Sequence, residues 1–500
     1  MSERSAGILL HITSLPSEFG IGDLGSQAYA FADMLARCDQ KIWQMLPLNF
    51  VDGAADFSPY SSVSSAAGNI LLISPELLTK EGLLSEKELD QYRLSNTDKI
   101  NFDKVADAKN KVFDIVWKNV KQEKQNQSWR SFKKFCSEEK QWLDDFALYS
   151  LIKKQQQDKP WFQWPKELKK RKAAGLLQIS KEAEDEIAKT KFLQFVFAKQ
   201  WRRLKTYCND KGIKILGDLP YYVSHDSVDV WTNPEIFKID NDGNPVAVAG
   251  TPPDMFSEDG QLWNMPVYRW GVLKKKKYKW WVERMKRNQE LFDLVRLDHF
   301  RGFSAYWEVP VKETTAKNGS WKNGPGADLF KTMEKKLGDL PFVAEDLGEI
   351  DDAVIKLKDQ FNLPGMKVLQ FAFGKNMARS EHIPHNYRQN FFVFTGTHDN
   401  NTTKGWWKKD IDENTRDRVN KYCNKKLTEE NIVDEFIRLA YASTAKAAII
   451  PMQDILDLDE SGRMNSPGTI ENNWNWRMRP DQPTPGIEEK LKELMQLYNR

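Results

Sequence analysis

The chain has 500 residues, with 74 Lys and Arg against 71 Asp and Glu and a formal net charge of +3. So even a balance leaves no electrostatic footprint for nucleic acid or an anionic membrane, and the basic runs Lys169–Lys172 and Lys274–Lys277 read as solvated faces. Cys38, Cys136, Cys208 and Cys423 lie far apart without metal or redox spacing, which predicts free thiols in a reducing, cytoplasmic setting.

No stretch approaches the roughly 18 apolar residues of a spanning helix, and Ile8–Leu10 is too short for the core of a signal peptide. Ala6–His11 is an apolar run that leads through Thr-Ser-Leu-Pro into Gly20–Gly25. The glycines at 20, 22 and 25 fit GxGxxG loosely, but Ser14-Leu15-Pro16 separates them from the strand, which counts against a dinucleotide site. Ser26–Ala36 has helical periodicity, and Lys41–Pro47 reads as a second strand. From Thr79 to Tyr207 the chain turns rich in Lys, Glu and Gln, with Phe132, Phe135, Trp142 and Phe146 at helical spacing. An α-helical inserted subdomain over 79–207 is expected, with the Trp161–Pro165 cluster as helix packing.

Strand character returns at Ile213–Leu219. Residues 220–270 are rich in Pro, Gly and aromatics, and are expected to form a long irregular loop region beside a substrate groove. Apolar runs at Phe292–Asp298, Pro341–Glu345, Met366–Phe371, Phe391–Thr397 and Ala447–Met452 complete the set. Eight strands, starting near residues 6, 41, 213, 292, 341, 366, 391 and 447, predict one α/β fold over 1–500. That fold is a (β/α)8 TIM barrel, with the helical insertion between strands two and three and long loops over its C-terminal face.

Acids stand at the ends of strands three (Asp218), four (Asp298), five (Glu345) and seven (Asp399). Arg296 is two residues before Asp298, so both side chains share a face, and a guanidinium there keeps the carboxylate ionised. Glu345 follows the apolar Phe342-Val-Ala, where partial burial raises a carboxyl pKa. Convergent acids either bind a divalent metal or act as nucleophile and acid/base on a glycosidic bond. The chain has no HxH or HExxH and no strand ending in an obvious Lys, which favours the glycosidic reading and leaves the metal one open. An inert carbohydrate-binding module has no need of so many strand-end acids, although 18 tryptophans suit sugar stacking as well as core packing.

Arg-Leu-Asp298-His-Phe-Arg-Gly, Val-Ala-Glu345-Asp-Leu-Gly and Gly-Thr-His398-Asp399-Asn resemble the motifs of amylomaltases. These are the 4-α-glucanotransferases of glycoside hydrolase family 77, in the α-amylase clan. The match runs in order from Ser14-Leu-Pro16 through Trp43-Gln44, Ser58-Pro-Tyr60, Ala67-Gly-Asn69, Gly217–Pro220, Gly250–Asp254, Gln261–Trp263 and Pro364–Phe373. It continues to Arg463–Gly468 and Asn473–Arg477, and so spans nearly the whole chain. The resemblance implies a retaining double displacement on α-1,4-glucans and maltooligosaccharides, with no cofactor, no metal, and no nucleic-acid or membrane partner. It implies Asp298 as nucleophile, Glu345 as acid/base and Asp399 as transition-state stabiliser. Arg296, His398, Asp218, Tyr60, Trp263, Asn69 and Asp254 are the implied substrate-binding residues, Tyr60 stacking on the sugar and Trp263 lining the acceptor side. An amylase-type α-1,4-glucan hydrolase is the alternative, since it uses the same acids and differs in water access. Asn264-Met265, Ser61 and Asn49-Phe50 depart from the family's usual Gly-Asn, Gln and Gly-Pro, all in loops expected to shape the groove.

Overall fold

A computed structural model describes residues 4–51, 53, 56–122, 127–253, 257–469 and 471–500. Strands covered by helices bury both faces and therefore read as continuous apolar runs; Ala447-Ala-Ile-Ile-Pro451 is buried at every position. The runs fold as β1 (Ser5–Leu9), β2 (Ile42–Gln44), β3 (Lys214–Leu219), β4 (Leu294–Leu297), β5 (Phe342–Ala344), β6 (Gly365–Val368), β7 (Phe391–Phe394) and β8 (Ala447–Pro451). Each begins within two residues of its expected start. The ladder order is β6-β7-β8-β1-β2-β3-β4-β5, all parallel. The sheet curls until β5 meets β6, where the Ala344 N–H donates to the Pro364 carbonyl at 2.8 Å. The fold is a nearly closed (β/α)8 barrel.

That seam has few ladder bonds, and the Asp346 side chain fills in for them. Its Oδ1 accepts the Met366 N–H at 2.7 Å and its Oδ2 accepts from Lys358 Nζ at 2.6 Å, both residues buried. Gly365 permits this approach, because a Cβ there would stand 2.4 Å from Asp346 Oδ2.

Between β2 and β3 the chain forms helices that include Phe102–Gln122, Lys140–Gln155 and Glu184–Asp210. Phe102–Gln122 buries Val105, Val112, Phe113, Val116, Trp117 and Val120, a stripe at spacings of one, three, four and seven that faces the core. Trp161 and Trp164 are buried, as packing requires. Residues 220–270 are more regular than expected. They hold the helix Val228–Thr232 and the strands Ala247–Thr251 and Gln261–Pro266. Those strands pair antiparallel with each other, and Ala247–Thr251 also pairs with Ala305–Pro310, which in turn pairs with Ser320–Asn323, both from the connection after β4. Val248, Val309 and Ala316 form a small core of this sheet, with Leu262 and Trp307 packed against it. No helix among the described residues is long and apolar enough to cross a membrane, and the four cysteines are free.

Candidate active site

Register places the first pair of charges. Asp218 on β3 is the ladder partner of Arg296 on β4, so their side chains leave the same face of the sheet. Arg296 Nη1 lies 2.7 and 2.9 Å from the two Asp218 oxygens and 2.9 Å from Asp298 Oδ1. Burial works against the Arg296 charge, but Asp218 and Asp298 more than offset it, and the guanidinium keeps its proton. The sequence paired Arg296 with Asp298; the structure makes Asp218 its fuller partner, a contact that only the barrel creates.

Tyr60, from the connection after β2, donates its hydroxyl proton to Asp218 Oδ2 at 2.7 Å and lies 2.8 Å from His398 Nε2. With that single proton committed, Nε2 of His398 carries its own, directed to the Tyr60 oxygen or to Asp399 Oδ2 at 3.2 Å. Asn465 Nδ2 donates to Asp399 Oδ1 at 2.6 Å, and Arg463 donates to the Asp399 carbonyl at 3.2 Å. Burial favours a protonated Asp399, but His398 and Asn465 prevail and hold its carboxyl well below the usual carboxylate range.

Glu345, just past β5, has the opposite surroundings. Burial pushes its pKa up to about 8, with Arg296 opposing the rise and Asp298 adding to it. Its Oε2 accepts the His299 N–H at 2.7 Å and its Oε1 the Leu347 N–H at 3.0 Å. At neutral pH this carboxyl holds its proton. Neighbouring acids driven apart in this way divide acid from base roles.

Trp263 is half-buried on the strand Gln261–Pro266, its ring edge-on to His299 at 5.0 Å. The next residue, Asn264, has φ +59°, a left-handed conformation that asparagine tolerates better than most residues. Asn69 is buried, and its side-chain oxygen accepts the Leu71 N–H at 3.0 Å, capping the short turn Ile70–Leu72. It lines a small cavity with His11, Phe57, Phe102 and Trp474, beside the acids rather than among them. Asp254 lies outside the described residues. Trp474 was not anticipated as a site residue; its ring centroid is 5.6 Å from Tyr60 and 6.1 Å from His398. Asn465, Arg463 and Trp474 follow β8, where no strand end marks them, and only their place in the quoted motifs signals them.

Among the described residues no group of three or more His, Cys, Asp or Glu is arranged to hold a metal ion. The acids at this rim are engaged instead by Arg296, His398, Asn465 and backbone N–H groups.

A parallel barrel whose carboxyl-end rim gathers one protonated and several cation-paired acids defines an α/β-barrel enzyme with a glycosidase-type site. A family model described as 4-alpha-glucanotransferase, glycoside hydrolase family 77, matches residues 10–483. The 4-alpha-glucanotransferase of Aquifex aeolicus is 44% identical over 497 residues, 99% of each chain. That of Streptococcus pneumoniae is 42% identical over 504 residues, covering 100% of this chain and 98% of the relative. The solved amylomaltase from Streptococcus agalactiae in complex with acarbose superposes with a TM-score of 0.95 at 40% identity over 100% of both chains. The chain belongs to the 4-alpha-glucanotransferases of glycoside hydrolase family 77.

Proposed function

We propose that this enzyme transfers α-1,4-glucan segments between maltooligosaccharides by a retaining double displacement, with Asp298, Glu345 and Asp399 as its working acids. The observation that carries the reading is the contrast between Glu345, half-buried and holding its proton to about pH 8, and Asp298, hydrogen-bonded by Arg296 two residues before it at the end of β4. Asp298 attacks the anomeric carbon, and the bond to the leaving 4-oxygen breaks as Glu345 gives that oxygen its proton. A glucosyl ester on Asp298 results. The 4-hydroxyl of an acceptor then passes its proton to the Glu345 carboxylate while its oxygen displaces Asp298. Two inversions retain the anomeric configuration.

Asp399 and His398 bind ring hydroxyls of the reacting sugar and favour its distorted form. Arg296 orients Asp298, and Asp218 anchors Arg296. Tyr60 stacks on that sugar, Trp263 lines the acceptor side, and Asn69 and Asp254 contribute to the groove. In this reading residues 1–500 are one catalytic barrel, 79–207 an inserted subdomain and 220–270 the groove wall. No cofactor takes part. The four free cysteines suit a reducing cytoplasm.

Maltotriose incubated alone with the protein tests the reading. Transfer yields glucose and a ladder of longer oligomers, undiminished by EDTA. Only shorter products, with reducing ends rising steadily, establish an amylase-type hydrolase instead.

A further inference from the structure

His299 follows Asp298 and has φ 48° and ψ 48°, a left-handed conformation that non-glycine residues rarely adopt. Up to this point the chain obeys the parallel ladder: the Asp298 N–H donates to Leu219 on β3 at 3.1 Å, and the Glu345 N–H donates to Leu297 on β4 at 3.1 Å. The turn at His299 then swings two successive N–H groups onto a single residue. His299 N–H reaches Glu345 Oε2 at 2.7 Å, and Phe300 N–H reaches the Glu345 carbonyl at 3.2 Å. Three hydrogen bonds thus connect the segment bearing Asp298 to Glu345, and one of them reaches its carboxyl group directly.

The imidazole does not account for this conformation through hydrogen bonding. Its Nε2 has no partner among the described residues, and the ring packs edge-on to Trp263 and to Tyr221 at 5.9 Å. Edge-on packing of that ring against Trp263 and Tyr221 holds the residue in place while its backbone makes the contact. The charged groups facing Glu345 are Arg296 and Asp298, both on the β4 side; the neighbouring Asp346 is turned away to Lys358.

We propose that His299 is a positioning residue: its left-handed backbone aims the amide that fixes the Glu345 carboxyl relative to Asp298. The proposal rests on the reading of Glu345 as acid/base. Strained backbone persists where the surroundings over-determine it, and functional sites are where such strain collects. A donor aimed at one carboxyl oxygen fixes the plane of the group, and proton transfer depends steeply on that geometry.

The test is a series, His299→Asn, His299→Gly, His299→Ala and His299→Val, assayed on maltotriose for kcat and KM across pH. Asn and Gly accept the left-handed region, whereas Ala and above all Val resist it. The expected order of kcat is therefore Asn and Gly above Ala, with Val lowest and roughly a hundredfold below Asn. KM changes little across the series. The basic limb of kcat/KM also moves to higher pH in Ala than in Asn, because a lost N–H donor favours the protonated Glu345. A role for the ring alone makes Asn, Gly and Ala equally poor, and an Ala variant that matches or exceeds Asn and Gly overturns the proposal. Should Val fail to fold, the Asn and Ala pair decides. Glu345→Gln separates the two claims. Wild-type turnover in that variant removes the acid/base reading itself, whereas an inactive Glu345→Gln beside a flat His299 series removes only the role of His299.

Discussion

Arg296 presents one nitrogen to three carboxylate oxygens, so Asp298 shares its cation with Asp218. Asp298→Asn keeps the size of the side chain and removes the proposed nucleophile; turnover falls by roughly 10^4-fold or more, while far-ultraviolet circular dichroism stays that of the wild type. Glu345 makes a second prediction, in stability. A carboxyl raised from 4.5 to about 8 in the folded state contributes stability that is fully present below about pH 4.5 and lost as pH rises towards 8. Glu345→Gln cannot ionise, so its melting temperature exceeds the wild type's by a few degrees at pH 9 and converges with it at pH 4. Thermal melts at the two pH values check this; an equal difference at both contradicts the raised value. The strand-end acids were legible in the sequence because charge that closes an apolar run is conspicuous. Their partners were only partly so. Arg296 stands two residues from Asp298, but its bond to Asp218 exists only once β3 and β4 are in register.

At the scale of elements, the eight barrel strands could be read in advance, since burial on both faces compels unbroken apolar runs. The antiparallel sheet over the rim could not. Gln261–Pro266 is only partly buried and lies among Pro and Gly, and the sheet's other two strands, Ala305–Pro310 and Ser320–Asn323, come from beyond β4. A stretch of this kind reads as loop until its partner is known. The β5–β6 seam makes an element-scale prediction. Asp346→Asn leaves the Lys358 ammonium buried without its counter-charge, which costs about 3 kcal/mol, read as a lower urea midpoint; an unchanged midpoint contradicts this account of the seam.

Across the whole molecule, residues from five barrel strands or their connections and from the tail after β8 meet at one rim. The tail's share, Arg463 and Asn465 against Asp399 and Trp474 against Tyr60, brings its first part into the site. Composition alone pointed to none of this, and the near-neutral charge spoke only against polyanionic partners. Transfer rather than hydrolysis depends on how well the sheet and loops over the rim shield the glucosyl ester from water. The ester itself is the most direct evidence for the chemistry. Glu345→Gln, given maltosyl fluoride as a donor whose leaving group needs no proton, forms the ester but lacks the base that discharges it. Quenched, digested and weighed by mass spectrometry, the protein carries a maltosyl mass on the peptide that contains Asp298. The same mass on a peptide lacking Asp298, or no adduct while the fluoride is consumed to products of inverted configuration, contradicts the account.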